Sequence, residues 1–294
     1  MSLFTIIYSA YKHSNNIFRS VIGHNVINNY KNNTKSEFNK SHWTICEMLY
    51  LFTDIFIPSL PIYCPNWVPN IIKRIIFNGN SEYIADTTYP NLYKKESVLY
   101  INGIMTNKSI LYQNQHALRA LLKRPINLIH NNTDSVILDL IESAIGKKSN
   151  NLTEASYVAM CSMSKQLLDP NIEKIILICH SQGTIIASNA LFGLQNLGLD
   201  RPEYLKKLEI YAFSNCSSNM PFLINNYPYM EHLSNENDFV AKLGSNCNDD
   251  IKHLIKIDGI KLVAKNHWGH MFNTHYIEDF QIKFPESKLN NYIK

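Results

Sequence analysis

ILICHSQGTIIASNAL, residues 176–191, carries one apolar segment through His-Ser-Gln-Gly and straight into a second. Read with the residues ahead of it, EKIILIC (173–179) is a continuous apolar strand, as expected of a central strand covered on both faces. The second half has helical spacing, with Ala187, Ala190, Leu191 and Leu194 forming one stripe to lie against a sheet. Only a tight turn separates the two. Gly183 and Ala187 lack bulk, which lets helix and strand approach closely after it. A serine on such a corner holds its hydroxyl above the sheet, with the helix N-terminus behind it to favour negative charge. The plainer reading is that Ser181 caps the helix.

Outward from this corner the chain alternates strand and helix, the signature of a parallel sheet with crossover helices. SVLYING (97–103) and PINLIHN (125–131) read as strands ahead of it. SVILDLIESAIGK (135–147) and LTEASYVAMCSMSKQLLD (152–169) read as helices. LEIYAFSN (208–215), YMEHLSN (229–235) and GIKLVAKN (259–266) supply three later strands. The fold class is therefore α/β: a mostly parallel sheet flanked by helices over residues 95–294, preceded by a mainly helical extension over residues 1–94. Within that extension, residues 43–77 are very apolar, yet Glu47, Asp54, Pro58, Pro61, Pro65 and Pro69 interrupt them. A spanning helix needs about 20 predominantly apolar residues without such breaks. The stretch is expected to pack on the core; the sharper reading is a peripheral membrane contact through Trp43, Phe52, Phe56 and Trp67.

Composition bounds the rest. The 294 residues are 45% hydrophobic and 18% charged, which suits a globular chain with a substantial core. The formal charge of +4 comes without a dense basic block, so no nucleic-acid partner is implied. Six scattered cysteines show no framework spacing and fit reduced thiols in a cytoplasmic setting. The apolar run at the start has no positive segment ahead of it, so a cleaved signal peptide is not expected.

Cys179-His180-Ser181-Gln182-Gly183 resembles the nucleophile elbow of the α/β-hydrolase superfamily, G-x-S-x-G, with a cysteine in place of the first glycine. Hydrolases of this type carry their acid and then their histidine after the serine. Here HLSNENDFVAKLG presents Asp238 just beyond a strand, and KLVAKNHWGHMFNTHYI presents His270 after a glycine. Both segments are similar to those of lipase-like members. LYINGIMTN resembles the loop that supplies an oxyanion-hole amide, with Asn102-Gly103 where many members have His-Gly. HNNTDSVILDLIE (130–142) also resembles a segment of some serine hydrolases, with no chemistry attached. The resemblance spans about residues 95–280 and leaves the N-terminal third uncovered.

It implies a lipase- or esterase-like serine hydrolase that cleaves a carboxylic ester, of lipid or another acyl type, through an acyl-enzyme. Ser181, His270 and Asp238 would be nucleophile, base and orienting acid. The amides of Gln182 and Ile104 would receive the oxyanion, with Gly103 giving clearance. No metal and no organic cofactor is called for. Glu236 is the local competitor to Asp238, while Asp249 and Asp250 look solvated. His275 is the competitor to His270; His180 reads as a site-lining or packing residue and Cys179 as a small hydrophobe. His267, His270 and His275 match no familiar zinc spacing. Two other classes stay open: a non-catalytic binding module on the same fold, and a membrane-surface interaction protein acting through its N-terminal third.

Overall fold

The computed structural model describes residues 37, 81–88, 93–103, 106, 108–131, 153–247 and 252–293. The apolar segment before the serine is the strand Lys174–His180, and its side chains divide by parity. Ile175, Leu177 and Cys179 enter one core cluster; Ile176 and Ile178 enter the other. Successive side chains of a strand point to opposite faces, so a strand buried on both sides must be apolar throughout.

In chain order the strands are β1 (Glu82–Ile84), β2 (Glu96–Ile101), β3 (Ile126–His130), β4 (Lys174–His180), β5 (Leu208–Phe213), β6 (Asn219–Met220), β7 (Tyr229–Asn235), β8 (Lys256–Ile257) and β9 (Ile260–Ala264). Among the described residues seven strands make one sheet in the order β1-β3-β2-β4-β5-β7-β9, and β6 pairs with β8 apart from it. Every pairing in the large sheet is parallel except that of β1 with β3. The strands expected from the sequence after residue 95 all form. The sheet also takes in β1, which lies ahead of the 94/95 boundary drawn from sequence. Its three residues are too few to carry a period, so only pairing with β3 declares them a strand. The expected helix at 135–147 and the apolar stretch 43–77 lie outside the described residues.

Helices cover both faces. On one, α2 (Glu154–Leu168) and α3 (Gln182–Asn196) pack Ala159, Met163, Ile186, Ala190 and Leu194 against Leu99, Leu177 and Ile210. On the other, α1 (Lys108–Leu122) brings Leu111, Leu118 and Leu122 against Tyr100, Ile126 and Ile178. Thr153 starts α2 by accepting a bond from the Ser156 amide, which satisfies one of the donors a helix start leaves open. Among the described residues no helix is long and apolar enough to cross a membrane.

The C-terminal segment completes the α1 face with Phe272, Tyr276, Phe280, Phe284 and Tyr292. It is tied to the sheet through Glu209, a buried residue of β5. Lys288 Nζ (2.7 Å), Tyr292 Oη (2.7 Å), Lys174 Nζ (2.9 Å) and Tyr211 Oη (2.8 Å) all donate to its carboxylate. Burial opposes ionisation of Glu209, but these four donors outweigh it and hold its pKa at about 2. A carboxyl depressed in the folded state adds stability that is complete above its ordinary value of 4.5 and is lost as pH falls through about 2. Glu209→Gln should therefore lower the urea midpoint at neutral pH. It should also flatten the fall in stability over that acid window, as measured by denaturation at a series of pH values. An acid limb as steep as the wild type's would show that Glu209 is not the group responsible.

Candidate active site

The chain leaves β4 at His180 and enters α3 at Gln182, so Ser181 alone makes the corner. It does so with φ 55° and ψ −127°. A non-glycine residue at positive φ costs on the order of 1–3 kcal/mol and persists only where its surroundings over-determine it. Here the Ser181 amide donates to Phe213 O on β5 at 3.0 Å, and Thr184 returns its amide to Ser181 O at 2.9 Å. The Ser181 hydroxyl makes no cap bond to the helix, which removes the plain helix-cap reading.

Two glycines make room for the corner. A Cβ on Gly183 would lie 2.6 Å from Ile101 O and 2.7 Å from Asn102 O, so α3 sits on the end of β2. A Cβ on Gly103 would lie 2.8 Å from Ser181 Cβ and 3.3 Å from its Oγ. Cys179, where the elbow pattern has glycine, is fully buried in the α2/α3 face, and burial raises its thiol pKa. It packs as a small hydrophobe.

The Ser181 hydroxyl faces His270, with Oγ 2.9 Å from Nε2. His270 Nδ1 in turn lies 3.0 Å from Asp238 Oδ2 and 3.2 Å from Oδ1. With the carboxylate accepting, Nδ1 carries the proton and Nε2 is left to accept from the serine. Asp238 is fully buried, just past β7. Burial favours its neutral form, yet His270, Ser214 and Tyr276 more than compensate and hold it well below the usual carboxylate range. Tyr276 Oη donates to Oδ2 at 2.6 Å and the Val240 amide to Oδ1 at 2.9 Å. Ser214 Oγ stands 3.0 Å from His270 Nδ1.

The competing residues turn elsewhere. Glu236 accepts from Lys265 Nζ at 3.1 Å and the Asn266 amide at 2.8 Å. His275 accepts the Met271 amide on Nδ1 at 2.9 Å, and burial pushes its pKa down to about 3. His267 Nδ1 faces Lys265 O at 2.8 Å, so the three neighbouring histidines meet different partners. His180 stacks on His270, ring centroids 4.7 Å apart, and its Nε2 donates to His270 O at 2.8 Å. Burial, then the neighbouring His270, lowers its pKa to about 3. It packs behind the histidine. Asp249 and Asp250 lie outside the described residues.

On the other side of the serine, Asn102 accepts the Asn131 amide on Oδ1 at 2.7 Å and donates to Gly103 O at 2.8 Å. Asn131 Nδ2 donates to Gln182 Oε1 at 2.6 Å. The Gln182 amide begins α3 and has no acceptor one turn back, which suits it to meet an anion. Ile104, paired with it in the sequence reading, lies outside the described residues.

Asn102, Asn131, Ser181, Ser214, Asp238 and His270 thus follow the carboxyl ends of β2, β3, β4, β5, β7 and β9. A parallel sheet gathers its functional groups at that edge. With β1 antiparallel at one side and a serine corner after the central strand, the topology is decided. The fold is that of the α/β hydrolases. No family model and no curated protein matches the sequence. Several solved structures resemble the chain at low identity. An esterase from Pyrobaculum calidifontis is 11% identical with a TM-score of 0.40, covering 84% of this chain and 86% of its own. Est1E from Butyrivibrio proteoclasticus is 10% identical with a TM-score of 0.36, covering 68% and 93%. An α/β serine hydrolase without a lid from Xanthomonas campestris gives 10% and 0.36, covering 71% and 95%. Strand order and register, not these superpositions, define the hydrolase fold here.

Ser214, Tyr276 and Asn131 escape sequence reasoning. Ser214 and Asn131 are common polar residues whose usable signal is position, the first polar residue after an apolar strand; Tyr276, within the turn Phe272–Ile277, carries no such signal.

Gly183 is the tightest point of the corner. Gly183→Ala should shift β2 or α3 and cost about 1–3 kcal/mol of stability, as overpacking does. A denaturation midpoint equal to that of the wild type would mean the two elements yield freely.

Proposed function

We propose that the protein is a serine hydrolase of carboxylic esters, with Ser181 as nucleophile, His270 as base and then acid, and Asp238 as the orienting carboxylate. The observation that carries the reading is the unbroken chain Asp238–His270–Ser181, at 3.0 Å and 2.9 Å. Serine is a weak nucleophile until a base takes its proton as the bond to the carbonyl carbon forms. Nε2 of His270 receives that proton, and Asp238 stabilises the imidazolium through Nδ1. The imidazolium then protonates the leaving alcohol, and the acyl group stays on Ser181 Oγ. Water repeats the sequence in reverse and frees the acid.

The negative oxygen of each tetrahedral intermediate needs preset donors. The Gln182 amide is one and the Ile104 amide the other, with Gly103 keeping the approach to Ser181 open. One such donor contributes about 3 kcal/mol in the transition state. The roles are filled by protein groups alone. Lipid or another acyl ester is the substrate class that analogy with the fold suggests, and in the rival reading the apolar stretch 43–77 makes a peripheral membrane contact. Flotation of the full chain with liposomes tests that contact.

A serine-directed fluorophosphonate should label the wild type on Ser181, and Ser181→Ala should abolish labelling. Labelling that persists in the alanine variant, read by mass spectrometry, removes the nucleophile assignment. A folded wild type that neither labels nor turns over esters leaves the binding-module reading in its place.

For the acid and base, Asp238→Asn should keep the fold and cut kcat about 10⁴-fold, since the amide favours the wrong imidazole tautomer. His270→Ala should likewise lower turnover by orders of magnitude, and His275→Ala far less. The reverse ranking of the two histidines, in variants with native circular dichroism, would transfer the base to His275.

A further inference from the structure

Glu37 is the one described residue among the first 80, and it is buried to 1% exposure against the loop that carries His270. Its carboxylate accepts from the Asn273 amide on Oε1, and from the Thr274 amide (3.0 Å) and Thr274 Oγ1 (2.7 Å) on Oε2. All three partners donate. The two amides belong to the first part of a single π-helical turn, Phe272–Ile277, and the start of a helical turn leaves amide donors to be met from outside it. Buried amides of this kind need an acceptor from elsewhere in the chain. A carboxylate offers acceptors only, on two oxygens, and so matches the set.

The same turn is bound to the catalytic groups on its other sides. Tyr276 donates to Asp238, and the Asn235 amide donates to Tyr276 Oη at 3.2 Å. Asn235 Nδ2 bridges Gly269 O (3.0 Å) and His275 O (3.1 Å), which fixes the turn relative to the residue before His270. Gly269 permits this only because it lacks a side chain: a Cβ there would lie 2.3 Å from the His275 ring. His270 therefore stands on a short rigid arch. One end of the arch is held by Asn235, and its middle by Glu37.

We propose that Glu37 is a positioning residue of the triad: brought in from the N-terminal part of the chain, it holds the 272–277 turn so that His270 and Asp238 keep their register with Ser181. This rests on the serine-hydrolase reading above. It gives the region before the sheet a part in activity. An anchor that served stability alone would have no need to end on the turn shared by the histidine and the partner of its acid. Burial raises the Glu37 pKa, while the bonds from Thr274 and Asn273 act against that rise.

The test uses the full-length protein with a short-chain p-nitrophenyl ester and a fluorophosphonate. Glu37→Gln keeps the shape but turns an NH₂ group toward a donor. It should lower kcat about tenfold with KM changed less than about twofold, because misplacement of a catalytic group is felt in the transition state. The phosphonate labelling rate should slow by the same factor, since both readouts need an activated serine. Thr274→Val, which removes the bond from Thr274 Oγ1, should lower both in the same direction by less. A Glu37→Gln protein that melts lower but keeps wild-type kcat and labelling below its transition makes Glu37 a stability anchor and overturns the proposal. If that variant does not fold, Thr274→Val decides, and an unchanged kcat overturns it equally. A wild type that neither labels nor turns over the ester brings down the hydrolase reading and this proposal together, whereas failure of Glu37 alone leaves labelling of Ser181 intact.

Discussion

The close approach of α3 to the end of β2 is the constraint on which the rest of the structure depends. With Gly183 set against Ile101 O and Asn102 O, the chain has one residue in which to leave β4 and start the helix. That residue is Ser181, and it takes a positive φ of 55°. The strain is held by bonds from both sides, to Phe213 O on the next strand and from Thr184 in the helix. The hydroxyl makes no bond to the helix amides. It is left facing the loops that follow the later strands.

Those loops meet the serine because the sheet is parallel. Each crossover returns the chain to the same edge, so residues separated by 89 positions, such as Ser181 and His270, come within hydrogen-bond distance. Burial then sorts the ionisable groups. His180 and His275 are pushed to about 3 and stay neutral near pH 7, serving as fixed hydrogen-bonding rings. Asp238 goes the other way, since its neighbours supply donors aimed at a carboxylate. One ionised acceptor is thereby set among neutral rings, on the far side of the imidazole from the serine. This is the arrangement that the proposed proton transfer through His270 requires.

Glu37 and Glu209 show the same physics at two other joints. Each is a buried acid that fastens a distant part of the chain to the sheet-edge machinery or to the sheet itself. Glu209 meets two lysines and ionises readily. Glu37 meets amides and a hydroxyl, and burial raises its pKa. A joint made from neutral donors is sensitive to geometry, because each donor must point at its own oxygen.

By itself the sequence determined the strand–corner–helix unit, the strands that follow it and the order in which Ser181, Asp238 and His270 stand along the chain. These are local matters of period, bulk and turn chemistry, and they survive without knowledge of the partners. It ranked Asp238 over Glu236 and His270 over His275 from position alone, and could go no further. Only the tertiary structure decided which oxygen faces which nitrogen, since that follows from where loops 30 to 90 residues apart are pressed together. The roles of Ser214, Asn131 and Tyr276 as hydrogen-bond partners were likewise invisible, because a serine, an asparagine or a tyrosine carries no periodic mark. Strand β1 and the Glu37 contact were hidden for the same reason: three residues, or one, hold no pattern until the segment they bind is in place. Periodicity is written along the chain; hydrogen-bond partnership across the sheet edge is set by packing.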